Sequence, residues 1–302
     1  MIIGIVIGSI IFVLLVLYLL IGYYCFKIAF VRKTKMQMVP TDIKLKFNED
    51  WYNNTPNDDI KIDSIKKVVL KGKLFKVENS KNFIISVHGY RGNKKETSYF
   101  CSKFYQKGYN ILMVDDRGCG ESSGKYVTMG CLDVYDVVNW VNYLNKRFGS
   151  DIKIILYGWS MGAAIIMGAS KYLNNTNVKV IIEDSGYSST YEEFKHVGKK
   201  NFKFIPSWIL LSSLSILSFF HGISLKKNSA ISNLKESKIP TLFIHGGADD
   251  FVPTNMVYKC YESLPIKEKE LRVFDKSIHV CCLTDYGDEY INLVDNFIRR
   301  YL

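Results

Sequence analysis

The first 26 residues carry no charged side chain, and the whole chain has no C-x-x-C pair, no internal repeat and no low-complexity tract. Each absence removes a class of protein. Without paired cysteine motifs there is no zinc-ribbon or thioredoxin-like centre. The seven cysteines are odd in number and scattered over 302 residues, which argues against a disulfide scaffold and for free thiols in a reducing compartment. The adjacent Cys281 and Cys282 read as packing residues, because a disulfide between neighbours is strained. No dinucleotide fingerprint and no cluster of metal-ligating side chains occurs, so no cofactor is implied. The net charge of +11 comes from basic residues spread along the chain, with no dense cluster interleaved with aromatics. That pattern gives no support to a nucleic-acid partner. It suits a solvated surface or attraction to anionic lipid headgroups, favoured by roughly 1 kcal/mol per basic residue near the surface. What remains is a chain 48% apolar and 14% aromatic, enough to bury a full core.

Residues 1–26 (MIIGIVIGSIIFVLLVLYLLIGYYCF) exceed the ~20 apolar residues a helix needs to cross the hydrocarbon core. No basic residue precedes the run, and Gly22-Tyr23-Tyr24-Cys25 is no signal-peptidase site. A retained anchor is therefore expected, with the tyrosine pair at the interface. Lys27, Arg32, Lys33 and Lys35 follow and place the carboxy-terminal side in the cytoplasm by the positive-inside rule. A linker over 27–60 should then lead to a folded domain over 61–302.

In that domain, apolar β-branched runs at 83–87, 110–114, 152–157, 178–182, 240–244 and 271–274 alternate with amphipathic stretches near 97–107, 132–148, 161–174, 254–264 and 286–301. Continuous apolar strands separated by helices predict an α/β fold with a mostly parallel sheet covered on both faces. Residues 60–77 predict a leading hairpin with its turn near Lys71-Gly72. Chemistry is expected in loops beyond the carboxyl ends of the strands.

The pattern G-x-S-x-G occurs twice, against about 0.1 matches expected by chance in a chain this long. Ser160 (Gly158-Trp159-Ser160-Met161-Gly162) follows an apolar strand and opens a helical pattern, the context of a nucleophile elbow. Ser122 (Gly120-Glu121-Ser122-Ser123-Gly124) lies in a loop and is read as a loop residue. A serine needs a base oriented by an acid, and on such a fold they follow it in the order acid, then histidine. Of five histidines, His279 alone follows a late strand and a well-placed acid. Asp249 and Asp250 both fit by spacing, with Asp184 an outside alternative. Oxyanion donors are expected at the backbone of Met161, after the nucleophile, and of Tyr90, after His88-Gly89. His88 then orders its loop.

These motifs resemble the α/β-hydrolase superfamily, most closely the serine aminopeptidase-like branch that also holds monoacylglycerol lipases. The resemblance runs from about residue 60 to the end. It rests on His88-Gly89-Tyr90, Asp116-Arg117-Gly118-Cys119-Gly120-Glu121-Ser122, the Ser160 elbow, His245 to Pro253, and Ser277-Ile278-His279. It implies Asp249 rather than Asp250 as the acid, through H-G-x-x-D-x-x-V-P. It also explains the second G-x-S-x-G as part of the family's Asp-Arg-Gly loop. Between Asp184 and Pro240, an insertion centred on Phe204–Leu225 has 22 residues without formal charge. As a second span it would split Ser160 from Asp249 across the bilayer, so a small helical cap over about 190–235 is expected. An apolar cap beside an anchor favours a lipophilic ester or thioester substrate. An aminopeptidase-like amide hydrolase and a non-catalytic membrane module are the alternatives.

Overall fold

The computed structural model describes residues 1–32 and 45–302. Its elements run α1 (Ile2–Phe30), α2 (Glu49–Asn54), β1 (Asp58–Ser64), β2 (Val68–Phe75), β3 (Asn82–Val87), α3 (Ser98–Gln106), β4 (Asn110–Asp115), α4 (Asp133–Phe148), β5 (Lys153–Trp159) and α5 (Met161–Ala169), followed by β6 (Val178–Asp184), α6 (Thr190–Asn201), α7 (Ser207–Phe220), α8 (Ala230–Leu234), β7 (Thr241–Gly246), α9 (Asn255–Ser263), β8 (Lys269–Phe274) and α10 (Cys282–Arg299). The strands form one eight-stranded sheet in the order β1-β2-β4-β3-β5-β6-β7-β8. The two pairings of β2 are antiparallel and every other pairing is parallel.

The apolar runs are continuous because both faces of the sheet are covered. Neighbouring residues along a strand point to opposite sides. Ile85, Leu112, Ile154 and Leu156 pack under α4 and α5 with Val137, Trp140, Val141 and Ile165. Their neighbours Ile84, Ile111, Met113 and Ile155 pack on the opposite side with Phe100 and Phe104 of α3 and Tyr290, Val294 and Phe297 of α10. Each such side chain, once fully buried, contributes about 1.5–3 kcal/mol.

Three boundaries differ from the sequence reading. The β1–β2 turn is Ile65-Lys66-Lys67, where Lys66 and Lys67 take φ of 61° and 57°. Lys71-Gly72 instead lies inside β2, where Gly72 lets the Met113 carbonyl and the Trp140 ring approach; a Cβ there would meet both at 3.1 Å. α10 begins at Cys282 rather than near 286, with a break at Gly287 (φ 42°, ψ −107°). All seven cysteines, Cys281 and Cys282 included, are buried.

The third difference concerns α1, the one helix among the described residues long and apolar enough to cross a membrane. It does not yield to a linker at residue 27. Lys27 is exposed, but Ile28, Ala29 and Phe30 are buried against the domain. A helix leaves its last four carbonyls without intrahelical partners. Here the Lys27 carbonyl accepts from Val31 N–H, Ala29 from the Tyr90 hydroxyl at 2.7 Å, and Phe30 from Val127 N–H at 2.8 Å. Ile28 accepts from Arg91 Nη2 at 2.6 Å, a cation at the negative end of the helix. Of the expected linker over 27–60, residues 33–44, with Lys33 and Lys35, lie outside the described residues, and 45–60 carry α2 and the start of β1 rather than a linker alone.

The insertion between β6 and β7 folds as α6, α7 and α8. At 14 residues α7 spans about 21 Å, short of the ~30 Å hydrocarbon core. It packs along α1 instead.

Candidate active site

β5 ends at Trp159 and α5 starts at Met161, so Ser160 alone makes the corner between them. Its backbone takes φ 50° and ψ −119°, a conformation L-residues rarely adopt and that costs of order 1–3 kcal/mol. The corner is held by a bond from Ser160 N–H to the Asp184 carbonyl at 2.8 Å. It also needs its glycines. A Cβ on Gly162 would lie 2.3 Å from the Val87 carbonyl oxygen, and one on Gly158 would lie 2.6 Å from the backbone of Gly162.

At this corner Ser160 Oγ lies 2.9 Å from His279 Nε2, and His279 Nδ1 lies 2.7 Å from Asp249 Oδ2. The carboxylate partner sets the imidazole proton on Nδ1 and leaves Nε2 to accept from the serine hydroxyl. The other carboxylate oxygen of Asp249 accepts from Phe251 and Val252 N–H at 3.0 and 2.8 Å. Burial pushes the Asp249 carboxyl up, but contacts with the His245 and His279 imidazoles outweigh it and hold the group below the usual carboxylate range. His245 reaches Asp249 only at 3.4 Å, since its Nε2 donates to the Val252 carbonyl at 2.9 Å.

The other candidates sit elsewhere. Asp250 is exposed and pairs with Lys200 at 2.7 Å. Asp184 is buried and accepts from Tyr290 and Ser185 hydroxyls, each at 2.8 Å. Ser122 is buried, donates to the Asp115 carbonyl at 2.6 Å and accepts from Lys71 N–H at 2.9 Å, tying its loop to β2. His88 donates from Nδ1 to the Gly89 carbonyl and accepts at Nε2 from Asp116 N–H, so both ring nitrogens order the loop after β3. Met161 opens α5, where helix N–H groups lack intrahelical acceptors. Tyr90 and Ser160 line the same cavity.

That cavity is walled mainly by Ala29, Phe194, Val197 and Phe251. Two of its wall groups were missed by sequence reasoning. Glu193, on α6, is 3% exposed, and its Oε2 has no partner among the described residues. Burial, then the nearby Asp249 charge, pushes its carboxyl well above the usual range. Ala29 belongs to α1, and no local signal marks a residue of that apolar helix as part of a site. A charged residue in an amphipathic cap helix likewise looks like surface until the cap is folded.

The fold carries over to proteins of known structure. An esterase of Pyrococcus furiosus, Pf2001, superposes with a TM-score of 0.66 at 25% identity, covering 87% of this chain and 98% of that one. The chain belongs to the α/β-hydrolase superfamily. Residues 78–186 of this hydrolase match the family described as serine aminopeptidase, S33. That stretch contains Tyr90 and Ser160 and ends before Asp249 and His279. YfhR of Escherichia coli (strain K12) is 28% identical over 231 residues, spanning 74% of this hydrolase and 72% of YfhR. The Saccharomyces cerevisiae membrane protein YNL320W is 24% identical over 225 residues, spanning 74% and 72%.

Proposed function

We propose that this hydrolase is a membrane-anchored serine enzyme that cleaves the ester or thioester of a lipophilic acyl substrate. The observation that carries the reading is the hydrogen-bonded chain from Ser160 through His279 to Asp249 at the mouth of an apolar cavity. His279 takes the proton from Ser160 Oγ as the oxygen attacks the acyl carbonyl. Asp249 keeps the imidazole in the accepting tautomer and stabilises the imidazolium that forms. The Met161 and Tyr90 N–H groups would receive the oxyanion, each contributing on the order of 3 kcal/mol to the transition state. His279 then protonates the leaving group, and water, activated by the same imidazole, releases the acyl-enzyme.

The substrate class follows from the cavity walls and from the adjoining α1, which would anchor the enzyme in the bilayer. Lys27 and Arg32 after the apolar run favour a cytoplasmic catalytic domain. A second reading, aminopeptidase-like amide cleavage, draws on the description of the matched family. A panel of acyl esters, thioesters and aminoacyl amides separates the two. The decisive test is labelling of the full-length protein with a fluorophosphonate, followed by mapping of the modified residue. Modification at Ser160, absent in Ser160→Ala, is expected. No labelling of the folded protein would favour a non-catalytic membrane module.

A further inference from the structure

We propose that the passage between α1, α6 and α7 is an acyl-chain site filled from the bilayer, with the last turns of α1 as its specificity-determining wall. The proposal rests on the acyl-hydrolase reading above and adds where the chain lies and how it arrives.

Beside the cavity over Ser160 lies a second, and the two share Ala29, Phe194 and Val197 as walls. The second cavity continues along Cys25, Phe202, Leu210, Leu211 and Leu214 and has no charged lining residue. The apolar lining that begins at the nucleophile therefore continues to α1. Beyond it, α1 from Ile2 onward is exposed and apolar, and Phe204 and Trp208 stand exposed at the start of α7.

The anchor is built into this wall. Gly22 lets α1 approach α7 so closely that a Cβ there would lie 2.8 Å from the Ser213 carbonyl oxygen. The carbonyls of Ile28 and Ala29 are held by Arg91 and Tyr90, from the loop that borders Ser160. An alkyl chain leaving the bilayer for this passage exchanges one apolar surrounding for another, because lipid tails are as apolar as leucine side chains. A polar leaving group would lose its hydrogen bonds to water there, so it must stay on the opposite side of Ser160. The occupant is one acyl chain of a membrane lipid ester, entering sideways along α1.

The test uses the full-length protein in phosphatidylcholine vesicles and a hexadecyl fluorophosphonate with a diazirine at the chain end. After phosphonylation, light should join the chain to peptides containing Cys25–Ala29 or Leu210–Leu214. Attachment confined to Met129, Tyr187 or Phe251 overturns the proposal. In parallel, Ala29→Phe should lower kcat/KM for a long-chain ester by roughly ten-fold or more relative to a short-chain ester. Val197→Phe, on α6, should do the same if Ala29→Phe does not fold. Tyr23→Phe, on the exposed side of the same helix, should leave that ratio unchanged. An unchanged ratio in both cavity variants, with phosphonylation intact, refutes the passage. Failure of the wild-type protein to be phosphonylated defeats the hydrolase reading itself.

Discussion

Two neighbouring aspartates show how much a single residue's surroundings decide. Asp249 is buried and hydrogen-bonded to Phe251, Val252 and His279, whereas Asp250 projects outward to Lys200. Asp249→Asn should lower kcat on the order of 10⁴-fold, because the amide no longer enforces the accepting tautomer of His279. Asp250→Asn should change it little; steady-state rates on one ester compare the two. Ser122→Ala should keep fluorophosphonate labelling while lowering stability by about 1–3 kcal/mol in denaturant melts, since it leaves the Lys71 N–H without its buried acceptor. Glu193 makes a pH prediction. Its folded pKa lies above its unfolded value, so as pH rises past the ordinary carboxyl range the unfolded state releases a proton that the folded state keeps. Stability therefore falls with rising pH until the buried group ionises. Glu193→Gln should lose less stability between about pH 5 and about pH 8 than the wild type, read as the difference in melting temperature. Asp249 acts in the opposite sense: its contribution is present above the unfolded pKa and disappears as pH falls through the depressed folded value.

Among the elements, the strand-to-helix corner and the α1–α7 contact depend on absent side chains. Gly162→Ala sets a methyl against the Val87 and His88 carbonyls, at the end of β3, which is paired on both sides with β4 and β5. It should abolish labelling at Ser160 even where the protein still folds. Much of this layer was legible in the linear chain. The six apolar runs became strands; five are buried on both faces, which demands unbroken apolar sequence, while β8 at the sheet edge is only partly buried. The β1–β2 turn was not legible. Lys71-Gly72 has turn composition, yet Gly72 is required where Trp140 of α4 presses on β2, a contact between residues far apart in sequence.

For the molecule as a whole, α1 and the hydrolase domain form one body. Tyr90 and Arg91 receive the end of α1, and Arg32 binds the carbonyls of Gly120 and Ser122. A hydrolase held in this way should stay in the membrane pellet after alkaline carbonate extraction, with its fluorophosphonate-reactive site intact. Release into the supernatant would remove the case for a spanning helix.

The amino-acid sequence alone determined the alternation of strands and helices, the elbow at Ser160 and the order of acid and histidine. Those features follow from local periodicity and from the spacing of a few residue types. Only the tertiary structure decided that Asp250 faces solvent, that Glu193 is buried with its Oε2 unpaired among the described residues, and that Ala29 walls the cavity over Ser160. Burial is a property of what packs against a residue, and here the packing partners come from the opposite end of the domain or from the anchor helix.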